Sequence, residues 1–407
     1  MTPTAWIVDQ MWGVGVTLAG GMTMNFPETF ETVVEDFMEI GPSVIVTSSR
    51  FWEDLASKIR VMISDSGFIK RWIYKQSQKT GGAVVDLESD GKAVPARLKI
   101  FQWLFGRIVS LPLLDRVGCL GFRAAYTGGH PISPDVIRFF RANGLNLKQC
   151  YGLTETGGIF QVQPDGEVKP ETVGKPLPRT EVKITEDQEV LVLSKSNFVG
   201  YYQSPEATAE VLKDGWFHTG DAGYFDDDGH LLIIGRKEDI MRTEEGEAFS
   251  PDFIETRLKF SPYIKEAVIW GEGQPYLTAF INIDFGNTGN WAEEHKIPYT
   301  TYIDLSQQQA VEEMIRGEVQ EVNNQLPKPM QLQKIILLYK LLDADDEELT
   351  RTGKVRRKFV FEQYRELIDA MYSDREELSV TGQVRYRDGQ VGTIETKVKI
   401  ISVSQGG

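Results

Sequence analysis

The most restrictive pattern in the chain lies between residues 122 and 158, where strand, glycine turn, helix and strand succeed one another. FRAAYTGG (122–129) is a run of strand formers that stops on two glycines, and SPDVIRFFRANG (133–144) reads as a helix. Pro134 suits its first turn, where the missing N–H is not needed, and Gly144 suits the left-handed residue that ends a helix. LKQCYG (147–152) is the next strand. A strand–turn–helix–strand rhythm of this kind reads as α/β.

The same alternation extends upstream. IGPSVIVTSS (40–49) reads as a buried strand, and FWEDLASKIRVMISDS (51–66) as an amphipathic helix with Phe51, Leu55, Ile59 and Met62 on one face. A helical stretch around 96–110 runs up to Pro112. Gln10–Pro27 is free of charge, but no basic segment precedes it and Gly13, Gly15, Gly20 and Gly21 interrupt it. It is expected to be a buried helix running into a strand rather than a signal peptide or membrane span.

From residue 172 the period shortens. VGKPLPRTEVKIT, EVLVLS and GYFDDDGHLLIIGR read as short antiparallel strands, with Asp228-Gly229 as a hairpin turn. The triplet Asp226, Asp227, Asp228 lacks the alternating ligands and distal glutamate of a calcium loop and reads as a solvated turn. A second unit, mixing helices (250–260, 309–326) with strands (263–271, 276–284, 333–339), begins near residue 235. The tail 380–403 alternates about Asp388-Gly389 as a terminal hairpin.

The 407 residues are enough for two or three domains. A net charge of −15 argues against general binding to nucleic acid or anionic lipid, though a local basic patch can override it. Two cysteines, Cys119 and Cys150, are too few for a disulfide framework and point to a reducing compartment. The four histidines are scattered outside zinc-ligand spacing.

Five segments carry chemistry. Tyr151-Gly152-Leu153-Thr154-Glu155-Thr156-Gly157-Gly158 follows a strand, where open α/β sheets place ligands. Its glycines permit close backbone approach, Thr154 offers a hydroxyl to phosphate, Glu155 a hard carboxylate to Mg²⁺, and Tyr151 a ring to a base. Taken alone, the same turn is also compatible with a purely structural role. TGGHP (127–131) is a second glycine turn, with Gly128, Gly129 and His130. GWFHTGD ends in Asp221, a carboxylate able to accept from two vicinal hydroxyls. GRKEDIMR (235–242) carries Arg236 at the domain junction, and LTRTGKVRRKF (349–359) presents Lys354 in a basic run that, alone, reads equally well as a solvated face.

In this order and at these separations, YGLTET, WFHTGD, GRKED and TRTGKVRR resemble the motifs of the adenylate-forming (AMP-binding) superfamily, which includes acyl-CoA synthetases, luciferases and adenylation domains of peptide synthetases. The runs 200–221, 261–284 and 357–372 resemble its long-chain fatty acyl-CoA synthetase branch. The resemblance implies an α/β chain whose residues 1–234 form the C-terminal part of a large AMP-binding domain, with helix-flanked sheets and a small β-barrel-like region. Residues 235–379 would be a small, mobile α+β domain and 380–407 a terminal hairpin extension. It implies ATP, Mg²⁺ and CoA as cofactor and co-substrates, and fatty acid as substrate. Thr154 would contact the α-phosphate, Glu155 would ligate Mg²⁺, and Tyr151, Gly152 and Gly128–His130 would form the AMP/ATP-binding pocket. Asp221 and Arg236 would hold the ribose, and Glu238 occupies the hinge position, where Asp or Lys is usual. Lys354 would be catalytic, meeting charge that develops as a carboxylate attacks the α-phosphorus. The remaining basic residues near it would meet CoA phosphates.

One family feature is not in the sequence: a Ser/Thr/Gly-rich phosphate loop ending in Pro-Lys-Gly, which TLAGGMTMNF (17–26) does not reproduce. The chain opens near the next family motif, where Trp6 and Gln10 stand in an apolar helix. An upstream portion on the order of 150 residues is therefore expected to be absent, impairing ATP positioning and leaving sheet edges exposed. The expectation is acyl-CoA synthesis, with two alternatives: a non-catalytic module binding adenylate or CoA, and an acyl-AMP ligase acting on a carrier protein. The expected location is cytoplasmic, with at most peripheral membrane contact and no nucleic-acid partner.

Overall fold

The computed structural model describes residues 7–26, 28–29, 32–343, 346–349, 355–385 and 391–403. Trp6, the Asp388-Gly389 turn and Lys354 lie outside them. The chain divides into two compact units, Met1–Glu238 and Asp239–Gly407.

The first unit is built on two sheets. One has the order β1 (Val44–Thr47), β2 (Ala124–Thr127), β3 (Leu147–Leu153), β4 (Gly158–Val162) and β5 (Lys175–Pro176). β1, β2 and β3 run parallel, and β4 and β5 continue antiparallel. The helix Pro134–Ala142 makes the crossover from β2 to β3, capped by Ser133, whose hydroxyl accepts from the Asp135 N–H at 3.3 Å. The second sheet is antiparallel, β10-β9-β7-β6, formed by β6 (Thr180–Ile184), β7 (Glu189–Ser194), β9 (Trp216–Phe225) and β10 (Leu231–Arg236), with the short β8 (Leu212–Lys213) against β9.

Helices flank the first sheet. Ser49–Ser64 buries Trp52, Leu55, Ala56 and Ile59, so its inward face centres on Trp52, with Phe51 and Met62 only half-buried at its margins. The Trp52 indole meets Phe140 edge-on at 5.1 Å between ring centres, fixing this helix against the crossover helix. The helix Phe68–Ser89 is not apparent from the sequence, because Gly81-Gly82 falls within it. Those glycines are where it crosses the helix Pro134–Ala142: a Cβ on Gly81 would lie 2.3 Å from the Ala142 carbonyl oxygen. Arg138 then locks the crossing through two 2.7 Å hydrogen bonds to Asp86.

Two upstream expectations are corrected. Asp9–Val16 is a widened helix continued by Thr17–Gly20, but none of its residues is buried and no strand follows it directly among the described residues. Gly13, Gly15 and Gly20 leave it too little apolar side chain for a buried face. The strand at 44–47 is not buried either; it is the edge of its sheet, and Val44 is exposed.

The Asp226–His230 turn is a tight hairpin link in which Asp226 Oδ1 accepts from the N–H groups of Asp228 and His230 at 3.0 and 2.8 Å. Lys169 places its ammonium between Asp226 and Asp228, so two carboxylates of the acidic triplet are paired from within the chain.

The second unit packs helices on a four-stranded mixed sheet, β13 (Ile264–Trp270), β14 (Leu277–Ile283), β15 (Leu332–Leu337) and β18 (Ile401–Ser402). Two-residue strands β11 (Met241–Arg242) and β12 (Ala248–Phe249) pair beside its start. β14 is buried at every residue, as a strand covered on both faces must be. The tail forms a hairpin, β16 (Glu377–Arg385) with β17 (Val391–Lys399), and then re-enters the main sheet through β18. Within this apolar body Arg357 forms an ion pair with buried Glu255, one guanidinium nitrogen reaching Glu255 at 2.9 Å and Asp252 at 2.8 Å. Burial raises the Glu255 carboxyl and the Arg357 charge opposes that rise.

Removing one partner of a buried ion pair strands the other in low dielectric. Glu255→Ala is expected to destabilise the second unit by about 3 kcal/mol, read as a lowered denaturant midpoint, with Arg357→Ala giving a similar loss.

Candidate active site

The chemistry-bearing segments of the first unit converge at the carboxyl ends of β2 and β3. The chain turns away from β2 through Gly128-Gly129 and leaves β3 through a single 3₁₀ turn, Thr154–Thr156. Both turns need glycine for contact reasons. A Cβ on Gly128 would lie 2.8 Å from the Cys150 carbonyl oxygen, and one on Gly152 2.1 Å from that of Gly158. The backbone is thereby drawn close enough to leave a cavity of about 260 Å³ over the strand ends. Gly128, Gly129, Gly152, Thr154, Glu155 and Arg236 line it, together with Thr47 from the end of β1.

The turn is braced by its own residues. The Thr156 hydroxyl accepts from the Leu153 N–H at 3.0 Å and donates to the Gly158 carbonyl oxygen at 2.7 Å, so Thr156 is a structural member of the motif. The Glu155 carbonyl accepts from the Phe198 N–H at 2.7 Å. Its carboxylate accepts from the Tyr201 hydroxyl at 2.9 Å, which fixes one oxygen; burial and this carboxylate together raise the Tyr201 phenol.

Asp221 stands behind the cavity on β9. A bulge between Ile233 and Gly235 shifts the β9–β10 register and brings Arg236 opposite Asp221. The Arg236 guanidinium lies 3.2 Å from Asp221 Oδ1 and donates to the Thr219 carbonyl at 2.9 Å. The Tyr151 hydroxyl donates to the other Asp221 oxygen. Burial pushes the Asp221 carboxyl above an ordinary aspartate, while the Tyr151 hydrogen bond and Arg236 pull it down. Tyr151 is raised well above an ordinary phenol, first by burial and then by the Asp221 charge. Its ring packs edge-on against Phe160 at 5.0 Å between centres.

Of the residues marked by the sequence motifs, Gly128, Gly129, Gly152, Thr154, Glu155 and Arg236 therefore share one cavity, and Tyr151 and Asp221 form its polar backing. His130 is exposed and outside the lining, contrary to its expected place in the pocket. Glu238 is the last residue of the first unit. Lys354 is outside the described residues; Leu349 and Val355, on either side of it in sequence, form an isolated antiparallel bridge. Just before that bridge, fully buried Glu348 receives the Tyr364 hydroxyl at 2.7 Å and the Lys340 ammonium at 2.9 Å. Thr47 and Tyr201 are members of the site that no sequence pattern assigns to it. Thr156 adjoins Glu155 within the motif, whereas Tyr201 lies 46 positions from Glu155 and gives no local signal.

Comparison with known proteins agrees with this geometry. Residues 1–202 match the family model of AMP-binding enzymes, and residues 238–376 match that of the AMP-binding enzyme C-terminal domain. The long-chain-fatty-acid–CoA ligase FadD15 of Mycobacterium tuberculosis is 31% identical over 354 residues, covering 86% of this chain and 58% of the relative. Long chain acyl-CoA synthetase 4 of Arabidopsis thaliana is 28% identical over 359 residues, covering 84% of this chain and 52% of the relative. The chain thus spans a little over half the length of these relatives. Among solved structures, ATP-bound MatB from Rhodopseudomonas palustris superposes with a TM-score of 0.57 at 21% identity, over 90% of this chain and 59% of that one. The adenylation domain of a carboxylate reductase from Mycobacterium chelonae gives 0.56 at 19% identity, over 84% and 48%. The chain belongs to the family of AMP-binding enzymes, and the two sequence relatives above carry the names of a long-chain-fatty-acid–CoA ligase and a long chain acyl-CoA synthetase.

Proposed function

We propose that this chain carries the adenylate-handling half of a fatty-acid–CoA ligase, which joins a fatty acid to AMP and then passes the acyl group to CoA. The observation that supports this most is Asp221, a buried carboxylate held between Tyr151 and Arg236 behind a glycine-lined cavity. A carboxylate so fixed is placed to accept two hydrogen bonds from the vicinal hydroxyls of a ribose, with Arg236 opposing the upward pull of burial on its titration. The Gly128 and Gly152 turns bring backbone near enough to pack a nucleotide, and Thr154 presents a hydroxyl to its α-phosphate.

The residues present fit Mg²⁺ as a nucleotide-bound ion. Glu155 lines the cavity with one oxygen already oriented by Tyr201, and a carboxylate plus phosphate oxygens is the usual Mg²⁺ ligand set. When bound, the ion offsets phosphate charge. The remaining steps belong to the chain. Thr154 orients the α-phosphate, and Lys354 meets the charge that develops on its oxygens as the acyl carboxylate attacks. Lysine suits that task as a mobile point charge carried by a loop. Lys354 stands in the second unit beyond Glu238, the proposed hinge, so it can enter for adenylation and withdraw before CoA attacks the acyl-adenylate.

The decisive experiment supplies preformed palmitoyl-adenylate and CoA to the 407-residue chain. Thioester is expected to form faster than without protein; no acceleration, together with no binding of a non-hydrolysable acyl-adenylate mimic, would sink the proposal. Asp221→Ala is expected to weaken binding of that mimic at least about tenfold, the loss for hydrogen bonds to a charged group. It should also abolish the preference for AMP over its 2′,3′-dideoxy analogue in a direct binding titration. Because the Asp221 carboxyl is raised, it protonates at a higher pH than an ordinary aspartate. AMP affinity should therefore fall on acidification from above 3.8, the ordinary aspartate value, and Asp221→Asn should flatten that limb of the pH profile.

A further inference from the structure

The helices Phe68–Ser89 and Ala96–Phe105, the latter continued by the widened turn Gly106–Ser110, pack against each other in the first unit and carry an unusual outer surface. Ile100, Leu104, Ile108 and Leu111 recur at helical spacing and are all exposed, with Trp103 beside them at 64% exposure. On the neighbouring helix Phe68, Ile69 and Trp72 occupy the first turns and are also exposed, Phe68 at 75%. Isolated exposed apolar residues are ordinary, but eight large ones, seven on these two helical segments and Leu111 at the start of the next helix, call for a partner.

Charge identifies that partner. Residues 66–85 carry Lys70, Arg71, Lys75 and Lys79 and no acidic residue; residues 91–114 carry Lys92, Arg97, Lys99 and Arg107 and again none. Over residues 66–114 these eight cations face three carboxylates, Asp86, Glu88 and Asp90, which pair with Arg138, Arg141 and Lys92, so the stretch stays net cationic in a chain of net charge −15. Lys75 and Lys79 follow Phe68 and Trp72 at helical spacing, and Arg97 precedes Ile100 and Leu104 on theirs. The Arg107 guanidinium lies 5.7 Å from the centre of the Trp103 ring. Aromatic and branched side chains interspersed with Lys and Arg suit a bilayer interface, where rings settle at headgroup depth and cations meet anionic lipid. No helix among the described residues is long and apolar enough to cross a membrane, so these helices would lie on the surface.

We propose that this helix pair docks the first unit on an anionic phospholipid surface, with Trp72 and Trp103 entering the interface and Lys75, Lys79, Arg97 and Arg107 pairing with phosphates. The assay needs neither ATP, fatty acid nor CoA, so it stands or falls apart from the proposed ligase chemistry. The purified chain is sedimented with vesicles of phosphatidylcholine alone and of phosphatidylcholine mixed with phosphatidylglycerol. Binding is expected only to the mixed vesicles and should weaken with added salt. Lys75→Gln, Lys79→Gln and Arg97→Gln should each weaken it about fivefold, the attraction per basic residue near such a surface. Trp72→Ser with Trp103→Ser should reduce it at least about tenfold while leaving the thermal midpoint and adenylate-mimic affinity unchanged. Equal binding to both vesicle types, or binding untouched by these exposed substitutions, would overturn the proposal. So would a dimer in solution that the Trp substitutions convert to monomer without change in vesicle binding, because the patch would then belong to a second copy of the chain.

Discussion

The candidate site of the first unit is organised around one buried carboxylate, Asp221. Asp221 belongs to the antiparallel sheet, Tyr151 to the mixed sheet whose first three strands run parallel, and Arg236 to the strand at the edge of the antiparallel sheet. Their contact ties two sheets at the place where the glycine turns open a cavity. A carboxylate with so little exposure costs free energy unless both its oxygens are satisfied, and the phenol and guanidinium satisfy one each. The arrangement therefore constrains the sheet register: the bulge at Ile234 is what allows Arg236 to stand opposite Asp221. An uninterrupted ladder would shift the register by a residue and turn the guanidinium toward the opposite face.

The second unit solves a related problem differently. Its sheet has a central strand covered on both sides, and two of the charge clusters admitted to that apolar body come as closed sets, Arg357 with Glu255 and Asp252, and Glu348 with Lys340 and Tyr364. The two sets lie on either side of Lys354 in sequence. Neither needs to be strongly stabilising to matter, because a buried pair fixes geometry even where its net energy is small. Here they fix the described chain before and after Lys354.

Much of this was legible from local pattern. The strand–helix–strand crossover, the hairpin at Asp228-Gly229 and the glycine turns follow from spacing and turn chemistry, and the short motifs beside them mark Thr154, Glu155 and Asp221. What local pattern missed was decided by distant contacts. Gly81-Gly82 reads as a break, but the glycines keep a long helix intact where the Ala142 backbone crosses it. Tyr201 carries no mark in the sequence that pairs it with Glu155, and only folding sets the two together. The uncharged stretch after Gln10 shows the converse error: apolar composition suggested burial, but glycines contribute backbone rather than a packing face. The adenylate-forming motifs were readable because each is short and contiguous, whereas the ion pairs bracketing Lys354 join residues up to 105 positions apart.

The segregation of charge along residues 66–114 has a mechanical consequence. Two stretches of the first unit's helices are purely cationic, and the rest of that unit carries an excess of carboxylates. Such a body is an electric dipole, and near a negatively charged boundary it experiences a torque as well as an attraction. It would rotate while still about a Debye length away, roughly 8 Å at physiological salt, so that orientation is chosen before any side chain touches. The direction of such an approach would be set by two gaps in the distribution of Asp and Glu, on either side of Asp86, Glu88 and Asp90, and an added acidic residue in either gap would weaken the dipole without disturbing the fold.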